Sequence, residues 1–260
     1  MKKHLLLTGA SGNLGRLLAR ELSALGYRLR LSDIVPFPDP LPAGCEFRAA
    51  DLADASAVAS LVQGTDCILH FGGISVEKPY PGIIESNVLG STHIFEATRQ
   101  ARQRVIFASS NHAIGFHGRD TPLDSHDSYR PDGYYGLSKA WGELLGRMMF
   151  DKHGIESVHL RIGSCLPAPT EARHLATWLS HGDLLRLVCA AIEAPETGCA
   201  IVWGASANRA RWWHQDDAAR IGYTPEDDAS RHGELPEVGD AIAQRFQGGS
   251  FTAIDYSKTE

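Results

Sequence analysis

Residues 5–15 read LLLTGASGNLG, and this segment decides the fold that we expect for the chain. The continuous apolar run Leu5–Leu7 is typical of a strand buried on both faces of a parallel sheet. Beyond the glycines, apolar residues recur at helical spacing, namely Leu14, Leu17, Leu18, Leu22 and Leu25. In such a strand–loop–helix unit, Gly9 permits the tight turn, Gly12 lets a pyrophosphate approach the backbone, and Gly15 lets the helix pack on the strand. The segment therefore predicts a dinucleotide site whose phosphates face the free N–H groups of a helix N-terminus.

Short apolar runs alternate with helical patterns along the rest of the chain, which predicts an α/β fold with a Rossmann-type, doubly wound parallel sheet. The predicted strands after the first span residues 28–32, 47–50, 67–71, 104–108, 158–162 and 200–203. A chain of 260 residues suits one domain of this kind. We expect residues 1–165 to form mainly the cofactor-binding core and residues 166–260 to supply mainly substrate contacts and C-terminal elements. Within the latter, residues 214–260 read as two short helices and an irregular tail.

Composition and charge argue against several other classes of protein. The net charge of −6 and the lack of a basic run disfavour nucleic-acid binding. The apolar run near the N-terminus ends at Thr8 and is too short for a signal peptide or a membrane span. Five scattered cysteines are typical of reduced thiols in the cytosol, and twelve histidines show no metal-ligand spacing. We therefore expect a cytoplasmic protein with no membrane segment and no metal site.

Polar or small residues follow several predicted strands, at the edge where open α/β sheets bind ligands. Asp33 can accept hydrogen bonds from both ribose hydroxyls of NAD and would repel the 2′-phosphate of NADP, although a turn residue is the alternative. Asp51 could meet the adenine amino group or cap a helix. Gly72 and Gly73 suit close passage of a ligand. Asn87 falls inside an apolar helical stripe and is either a structural tie or part of a site, because a buried amide needs partners.

Residues 109–112, Ser-Ser-Asn-His, follow the strand predicted at 104–108. Four polar side chains would be costly inside a core, so we expect them at the mouth of a pocket. A solvated loop with capping residues is the alternative.

Residues 134–139, YYGLSK, open an apolar run at helical spacing, which predicts one apolar face of a helix. The residues of this face are Leu137, Ala140, Trp141, Leu144, Leu145, Met148 and Met149. Tyr135 and Lys139 are four residues apart and share one side of that helix, and a cation beside a phenol favours the phenolate. A tyrosine tuned in this way can take a proton from an alcohol near neutral pH. Tyr134 pairs by the same spacing with Ser138, which is not a cation, so Tyr135 is the better candidate. A buried aromatic residue beside an exposed lysine is the alternative reading of the pair.

Over residues 4–165 the chain resembles the extended branch of the short-chain dehydrogenase/reductase superfamily. The motifs that carry the resemblance are Gly9-x-x-Gly12-x-x-Gly15, Asn87-Val88-Leu89-Gly90, Ser109-Ser110 and Tyr135-x-x-x-Lys139. The resemblance implies that Tyr135 is the general base, that Lys139 lowers its pKa and holds the nicotinamide ribose, and that Ser110 binds the reacting oxygen. The NAD contacts that we predict are Gly9, Gly12, Asn13, Leu14, Gly15, Asp33, Asp51, Leu52, Phe71, Gly72, Gly73, Tyr135, Lys139 and Ile162. His70-Phe71-Gly72-Gly73 departs from the His-x-Ala-Ala usual in this branch, which concerns only local packing near the nicotinamide.

A narrower resemblance, to the uronate dehydrogenase family, rests on Ser110-Asn111-His112 with Gly115-Phe116, on Arg161-Ile162-Gly163-Ser164 and on residues 176–180. Members of that family oxidise the C1 hydroxyl of cyclic hexuronic acids (galacturonate, glucuronate) with NAD and release an aldarolactone. The resemblance implies substrate contacts at Ser75, Ser110, Asn111, His112, Tyr135, Ser164 and Arg173.

One physical argument stands beside this resemblance, since a guanidinium binds a carboxylate bidentately and a uronate carries one carboxylate. Arg161 is the rival of Arg173 for this task, but its place at a strand end favours a structural role. A surface location is the alternative for Arg173.

Two other functions stay open at the level of sequence. Nucleotide-sugar epimerases and dehydratases of the same superfamily usually carry a larger C-terminal region than the residues after 165 provide. An NAD-binding regulator without activity is the second alternative, although such proteins commonly lack the Tyr–Lys pair. Arg209, Arg211, Trp212 and Trp213 predict a packed lid or a subunit contact rather than a substrate contact, and we expect a homo-oligomer.

Overall fold

A central, fully parallel sheet organises the computed structural model, which describes residues 2–254. The strands are β1 (His4–Thr8), β2 (Arg28–Asp33), β3 (Cys45–Ala49), β4 (Cys67–His70), β5 (Arg104–Ser110), β6 (Ser157–Ile162), β7 (Ser164–Cys165), β8 (Trp178–Leu179) and β9 (Cys199–Gly204). Seven of them form the sheet in the order β3-β2-β1-β4-β5-β6-β9, and β7 pairs with β8 in a separate parallel ribbon. The order of the strands reverses between β1 and β4, which is the position where doubly wound sheets bind ligands.

Helices cover both faces of this sheet. They are α1 (Asn13–Ala24), α2 (Ala55–Val62), α3 (Tyr80–Ile83), α4 (Gly90–Ala97), α5 (Tyr134–His153), α6 (His174–Thr177), α7 (His181–Glu193), α8 (Ala218–Ile221) and α9 (Ala241–Arg245). A π-helical turn, Ile84–Leu89, joins α3 to α4, and 3₁₀ turns form at Asn111–Ile114, Ala229–His232 and Gly249–Thr252.

The first strand shows why the sheet needs a helical layer on each face. Successive side chains of a strand point to opposite faces, so Leu5 and Leu7 enter one apolar cluster and Leu6 enters another. The first cluster includes buried residues of α1 and α7, and the second includes buried residues of α2, α4 and α5. The predicted doubly wound α/β fold is therefore confirmed.

Residues beyond 165 also contribute to this core. The last strand of the sheet is β9, and α7 packs into the cluster that contains Leu5. In the range 214–254, two short α-helices are accompanied by two 3₁₀ turns, and the predicted tail beyond 254 lies outside the described residues. Trp213, which we expected in a lid or at a subunit contact, is buried within the chain and stacks on Trp203 with ring centroids 4.9 Å apart.

The apolar residues of α5 do not share a single buried face. Leu145 and Met149 are buried against the sheet, whereas Leu137, Trp141 and Leu144 are about half exposed. The helix therefore carries two apolar stripes, of which only one packs within the chain.

Candidate active site

The glycine loop between β1 and α1 has the geometry of a phosphate-binding turn. Gly9 has a φ of +68°, and a Cβ there would lie 2.5 Å from the carbonyl oxygen of Phe71, in the loop after β4. A Cβ on Gly15 would overlap the carbonyl oxygen of Gly9. Both positions therefore require glycine. A Cβ on Gly12 would meet only the Gly9 carbonyl oxygen, at 3.4 Å, so the space in front of the loop is clear of protein and can admit a pyrophosphate.

A cavity of about 570 Å³ runs along the carboxyl ends of the strands from this loop to α5. Its volume is ordinary for a site that binds a cofactor or a small molecule. It is lined by Gly9, Gly12, Asn13, Leu14, Gly15, Asp33, Asp51, Leu52, Phe71, Gly72, Gly73, Tyr135, Lys139 and Ile162, which is every cofactor contact that we predicted. Three predicted substrate contacts, Ser75, Ser110 and His112, also line it, whereas Asn111, Ser164 and Arg173 do not. The roles of these residues remain proposals.

Asp33 holds its carboxylate at the wall of the cavity. One oxygen accepts a hydrogen bond from the backbone N–H of Ser11 at 3.0 Å, and the other accepts from that of Ile34 at 2.8 Å. The next residues, Ile34 and Val35, are apolar and bring no positive charge for a 2′-phosphate. An acid held in this way fits ribose hydroxyls and disfavours NADP.

Asp51 lines the cavity but does not cap α2. The N-cap of α2 is Asp54, whose carboxylate accepts from the backbone N–H groups of Ser56 and Ala57. Asp51 Oδ1 accepts from the backbone N–H of Ala53 at 2.9 Å and so shapes the turn after β3. Helix capping therefore does not explain Asp51, and a contact with the adenine stays a prediction.

The first two turns of α5 present Tyr135 and Lys139 to the cavity, and both side chains are almost fully buried. The carboxylate of Glu77 accepts hydrogen bonds from the backbone N–H groups of Tyr134 (2.9 Å) and Tyr135 (2.8 Å). A carboxylate at a helix N-terminus satisfies orphan donors and complements the helix dipole. Glu77 therefore fixes the end of the helix that carries Tyr135.

Burial dominates the acid–base behaviour of this pair. Desolvation raises the pKa of Tyr135 to about 12, a hydrogen bond with Ser110 opposes the rise, and the charge of Asp132 adds to it. Desolvation also lowers the pKa of Lys139 to about 8. The Lys139 ammonium lies 5.5 Å from the centroid of the Tyr135 ring and 5.1 Å from that of Phe107. In the ligand-free protein the pKa of Tyr135 is therefore raised by burial, not lowered as its pairing with Lys139 predicted.

Asn87 is a structural tie that supports the same corner. Its Nδ2 donates to Ser138 Oγ and to the carbonyl oxygen of Ile74, both at 2.9 Å, and its Oδ1 accepts from the Ile74 N–H at 2.8 Å. This amide joins the loop after β4 to the helix that carries Tyr135. Both N–H groups of the side-chain amide are used within the protein, which supports the first of the two readings of Asn87.

Asn111, Ser164 and Arg173 form a cluster directly behind the cavity wall. Arg173 Nε donates to the carbonyl oxygen of Gln247 at 2.8 Å, and Nη1 donates to Ser164 Oγ at 3.1 Å. With its amide oriented so that Nδ2 donates to the carbonyl oxygen of Ile162, Asn111 accepts from Arg173 Nη2 at 2.8 Å. The chain neighbours of Asn111 on both sides line the cavity, as do those of Ser164.

Arg173 is not a surface residue, since only 9% of it is exposed. Burial lowers the pKa of its guanidinium to about 10. Among residues 2–254, no carboxylate oxygen lies within 4 Å of it. A buried guanidinium that lacks a protein carboxylate is suited to receive one from a ligand.

The rival arginine is already paired with a carboxylate of the protein. Arg161 Nη2 lies 2.7 Å from Glu143 Oε2, and the exposed fractions of the two side chains are 1% and 0%. Burial raises the pKa of Glu143, but the charge and hydrogen bonds of Arg161, together with smaller contributions from His159 and Ser109, hold it below its usual range. Ser109 and Tyr129 donate to the same carboxylate. The structural role that we expected for Arg161 agrees with these contacts.

Three residues of the site, Glu77, Asp132 and Phe251, were not predicted from the sequence, and two of them contact the predicted residue His112. The imidazole of His112 bonds through Nδ1 to Asp132 Oδ2 at 2.6 Å, and its ring stacks on Phe251 with centroids 3.8 Å apart. Glu77 caps α5 from a loop far away in the chain. Asp132 stands three residues before Tyr135 and was within reach of a motif argument, whereas Glu77 and Phe251 carry no local signal.

The fold and the cavity together define a doubly wound α/β protein. One end of the cavity is a dinucleotide cradle formed by the glycine loop, residues 9–15, and the other end holds the buried side chains of Ser110, Tyr135 and Lys139. The chain belongs to the NAD dependent epimerase/dehydratase family, whose model matches residues 5–224. Within residues 2–254, no group of His, Cys, Asp and Glu side chains could hold a metal ion, and no helix is long and apolar enough to cross a membrane.

Among the relatives of this chain are several uronate dehydrogenases. The one from Agrobacterium fabrum is 46% identical over 257 residues, which cover 96% of this chain and 96% of that protein. The one from Pseudomonas syringae pv. tomato is 44% identical over 255 residues, which cover 96% of this chain and 93% of that protein. A mutant uronate dehydrogenase from Agrobacterium tumefaciens, solved in complex with NAD, superposes with a TM-score of 0.92 at 43% identity, over 99% of this chain and 100% of that one.

Proposed function

We propose that this protein is an NAD-dependent uronate dehydrogenase that oxidises the C1 hydroxyl of cyclic hexuronic acids to aldarolactones. The single observation that carries the choice of substrate is the buried guanidinium of Arg173, which pairs with no carboxylate of residues 2–254. It lies behind the wall that also holds Ser110 and His112. The choice of reaction is supported by the similarity of the chain to uronate dehydrogenases and by the group formed by Ser110, Tyr135 and Lys139.

The cradle suits NAD in three respects. The clear space in front of Gly12 admits a pyrophosphate, Asp33 suits the ribose hydroxyls, and Lys139 lies near the other end of the cavity. When bound, oxidised NAD supplies the acceptor for the hydride from C1 and a positively charged nicotinamide ring. We assign the adenine end to Asp51 and Leu52 and the nicotinamide end to Phe71, Gly72 and Ile162.

Tyr135 is the proposed general base. Its phenol must release a proton before it can accept one from the C1 hydroxyl, and burial opposes that release. Positive charge in the cavity, from Lys139 and from the bound cofactor, opposes the effect of burial because it favours the phenolate. Ser110, whose hydroxyl is close enough to Tyr135 to oppose the rise in its pKa, would steady the oxygen on which the carbonyl develops. The oxidised ring is then a lactone, so this step needs no water.

Arg173 has the right number of donors left for a carboxylate. A guanidinium carries five N–H groups in a planar fork. Within residues 2–254 three of them are used, one each on Nε, Nη1 and Nη2. One N–H therefore remains on each terminal nitrogen, and two such donors match the two oxygens of a carboxylate. Asn111 and Ser164 hold the guanidinium in place from the protein side.

Incubation with NAD and galacturonate or glucuronate, followed by NADH absorbance, tests the proposal at once. We expect NADH with the uronates, far less with galactose or glucose, and none with a nucleotide sugar. Proton NMR of the fresh product should show a lactone before it hydrolyses. Failure of both uronates to yield NADH would overturn the proposal, and turnover of the nucleotide sugar would favour the epimerase or dehydratase alternative.

We also propose that two copies of the chain associate through the exposed stripe of α5. The stripe consists of Tyr134, Leu137, Trp141, Leu144 and Met148, whose exposed fractions run from 38% to 54%. Contiguous exposed apolar surface on a globular protein marks a contact with another molecule, and two-fold homodimers are the commonest such assembly. This stripe replaces Trp212 and Trp213 as the basis for the expected homo-oligomer, because Trp213 is buried in its own chain.

A further inference from the structure

Asp132 is a buried carboxylate beside the active site. It has no role in the proposed reaction as described above. Its side chain is fully inaccessible, and Oδ2 lies 2.6 Å from His112 Nδ1. A Cβ on Gly115 or on Gly248 would overlap Oδ2, and a Cβ on Gly136 would lie 2.9 Å from Oδ1. Three separate segments of the chain therefore leave room for this one carboxylate.

Burial of the Asp132 carboxylate at this position lowers the stability of the fold. A buried carboxylate needs hydrogen-bond donors on both oxygens, yet no donor among residues 2–254 reaches Oδ1. The carboxylate also adds to the rise in the pKa of the adjacent Tyr135. A group that destabilises the fold and hinders the base would be expected only if its contact with His112 serves the site.

The contact determines where the imidazole carries its proton. A carboxylate can only accept hydrogen bonds, so Nδ1 must be the protonated nitrogen. In a neutral imidazole the other nitrogen, Nε2, is then a hydrogen-bond acceptor. His112 lines the cavity, and its ring is held between Phe251, stacked at 3.8 Å, and the edge of Tyr135 at 5.7 Å. Both the tautomer and the orientation of the ring are therefore set before a ligand arrives.

We propose that Asp132 is a positioning residue that locks His112 in the Nδ1–H tautomer, so that Nε2 accepts a hydrogen bond from a sugar hydroxyl. The assignment of the tautomer stands on geometry alone, whereas the sugar contact rests on the proposed function. The opposite tautomer would present an N–H, which can pair with a hydroxyl only if the hydroxyl acts as acceptor. Asp132 thereby selects ligands with a hydroxyl donor at this position.

Nitrogen-15 NMR of the imidazole rings tests the tautomer without any activity. The twelve histidines can be sorted by comparison with His112→Gln, whose spectrum lacks the ring in question. We expect His112 of the unmodified protein to carry its proton on Nδ1 at neutral pH, and Asp132→Asn to give a mixture of tautomers. An Nε2–H tautomer in the unmodified protein would overturn the proposal, even if uronate oxidation is confirmed.

Kinetics test the sugar contact. Asp132→Asn preserves the volume that the three glycines enclose, so we expect it to fold. It should lower kcat/KM for the uronate by about tenfold to a hundredfold and leave the KM for NAD unchanged. Because Asp132 acts through His112, the same substitution should have little further effect in a His112→Gln background.

Asp183→Asn is the matched control, since Asp183 is also a fully buried carboxylate that accepts backbone hydrogen bonds, from Glu226 and Asp227. It is expected to lower Tm without changing the KM for the uronate or the spectrum of His112. Equal kinetic losses in the two variants, or full additivity of Asp132→Asn with His112→Gln, would show that Asp132 only supports the fold.

Discussion

Arg173→Met separates recognition of the carboxylate from every other task of the site. The substitution removes a charge and keeps a long, flexible side chain. It loses three hydrogen bonds, to Gln247, Ser164 and Asn111, which together contribute roughly 4 kcal/mol. The lowered pKa of Arg173, about 10, corresponds to about 3 kcal/mol of desolvation that the variant no longer carries. The two effects nearly cancel, so we expect the free energy of unfolding to fall by only about 1 kcal/mol.

The effect on catalysis should be far larger and specific to acids. A uronate carboxylate buried without its cation costs roughly 3–5 kcal/mol, which is about two to three and a half orders of magnitude in kcat/KM. Galactose has no carboxylate in this place, so its already low kcat/KM should change by less than about threefold. The substrate preference for galacturonate over galactose should therefore collapse in the variant.

Initial rates of NADH formation at saturating NAD, measured with galacturonate and with galactose, check this prediction. Arg119→Met is a suitable control, since Arg119 is another partly buried arginine that donates to backbone carbonyls, those of Phe246 and Ala243. It should change neither rate. Equal losses on the two sugars in Arg173→Met would refute the reasoning, because they would make Arg173 a support for the fold rather than a carboxylate site.

Three further predictions follow from other parts of the molecule. Asp33→Ala should reduce the ratio of kcat/KM for NAD to that for NADP by about tenfold or more, through loss of charge-assisted bonds to the ribose and of repulsion towards phosphate; an unchanged ratio would contradict the assigned role. Lys139→Met should stabilise the ligand-free protein at pH 7 by at most about 3 kcal/mol, since burial lowers the pKa of Lys139 to about 8. Between pH 8 and the ordinary lysine pKa the unfolded chain binds more protons than the folded one, so the difference in Tm should shrink as the pH rises through this window; a difference independent of pH would refute the cause. Trp141→Glu, within the exposed stripe of α5, should convert a dimer to a monomer in light scattering, and a monomeric unmodified protein would remove the basis for the expectation.

Local spacing accounts for the parts of the molecule that the sequence could predict. The glycine loop and the pair Tyr135 and Lys139 depend on residues close together in the chain, so their shared cavity could be expected before the fold was known. The contacts of Glu77 with α5 and of His112 with Asp132 join residues 58 and 20 positions apart, and no local pattern predicts such pairs.

Burial explains two of the expectations that needed correction. The spacing of Tyr135 and Lys139 predicts their proximity, but the pKa of each is set mainly by desolvation, which the sequence does not state. In α5, the helical period groups the apolar residues on one side of the helix. It cannot show that Leu145 packs on the sheet while Trp141 and Leu144 lie half exposed on an adjacent stripe.

Turnover by Tyr135→Phe tests the central claim most directly, because the change removes one hydroxyl from the buried phenol and leaves the cradle for NAD intact. Two quantities should be measured on the same sample, namely the rate of NADH formation with galacturonate and the Kd for NAD. We expect kcat to fall by about two to four orders of magnitude, with the Kd for NAD changed by less than about threefold. A variant that oxidises galacturonate at the unmodified rate would contradict the assignment of Tyr135 as the base.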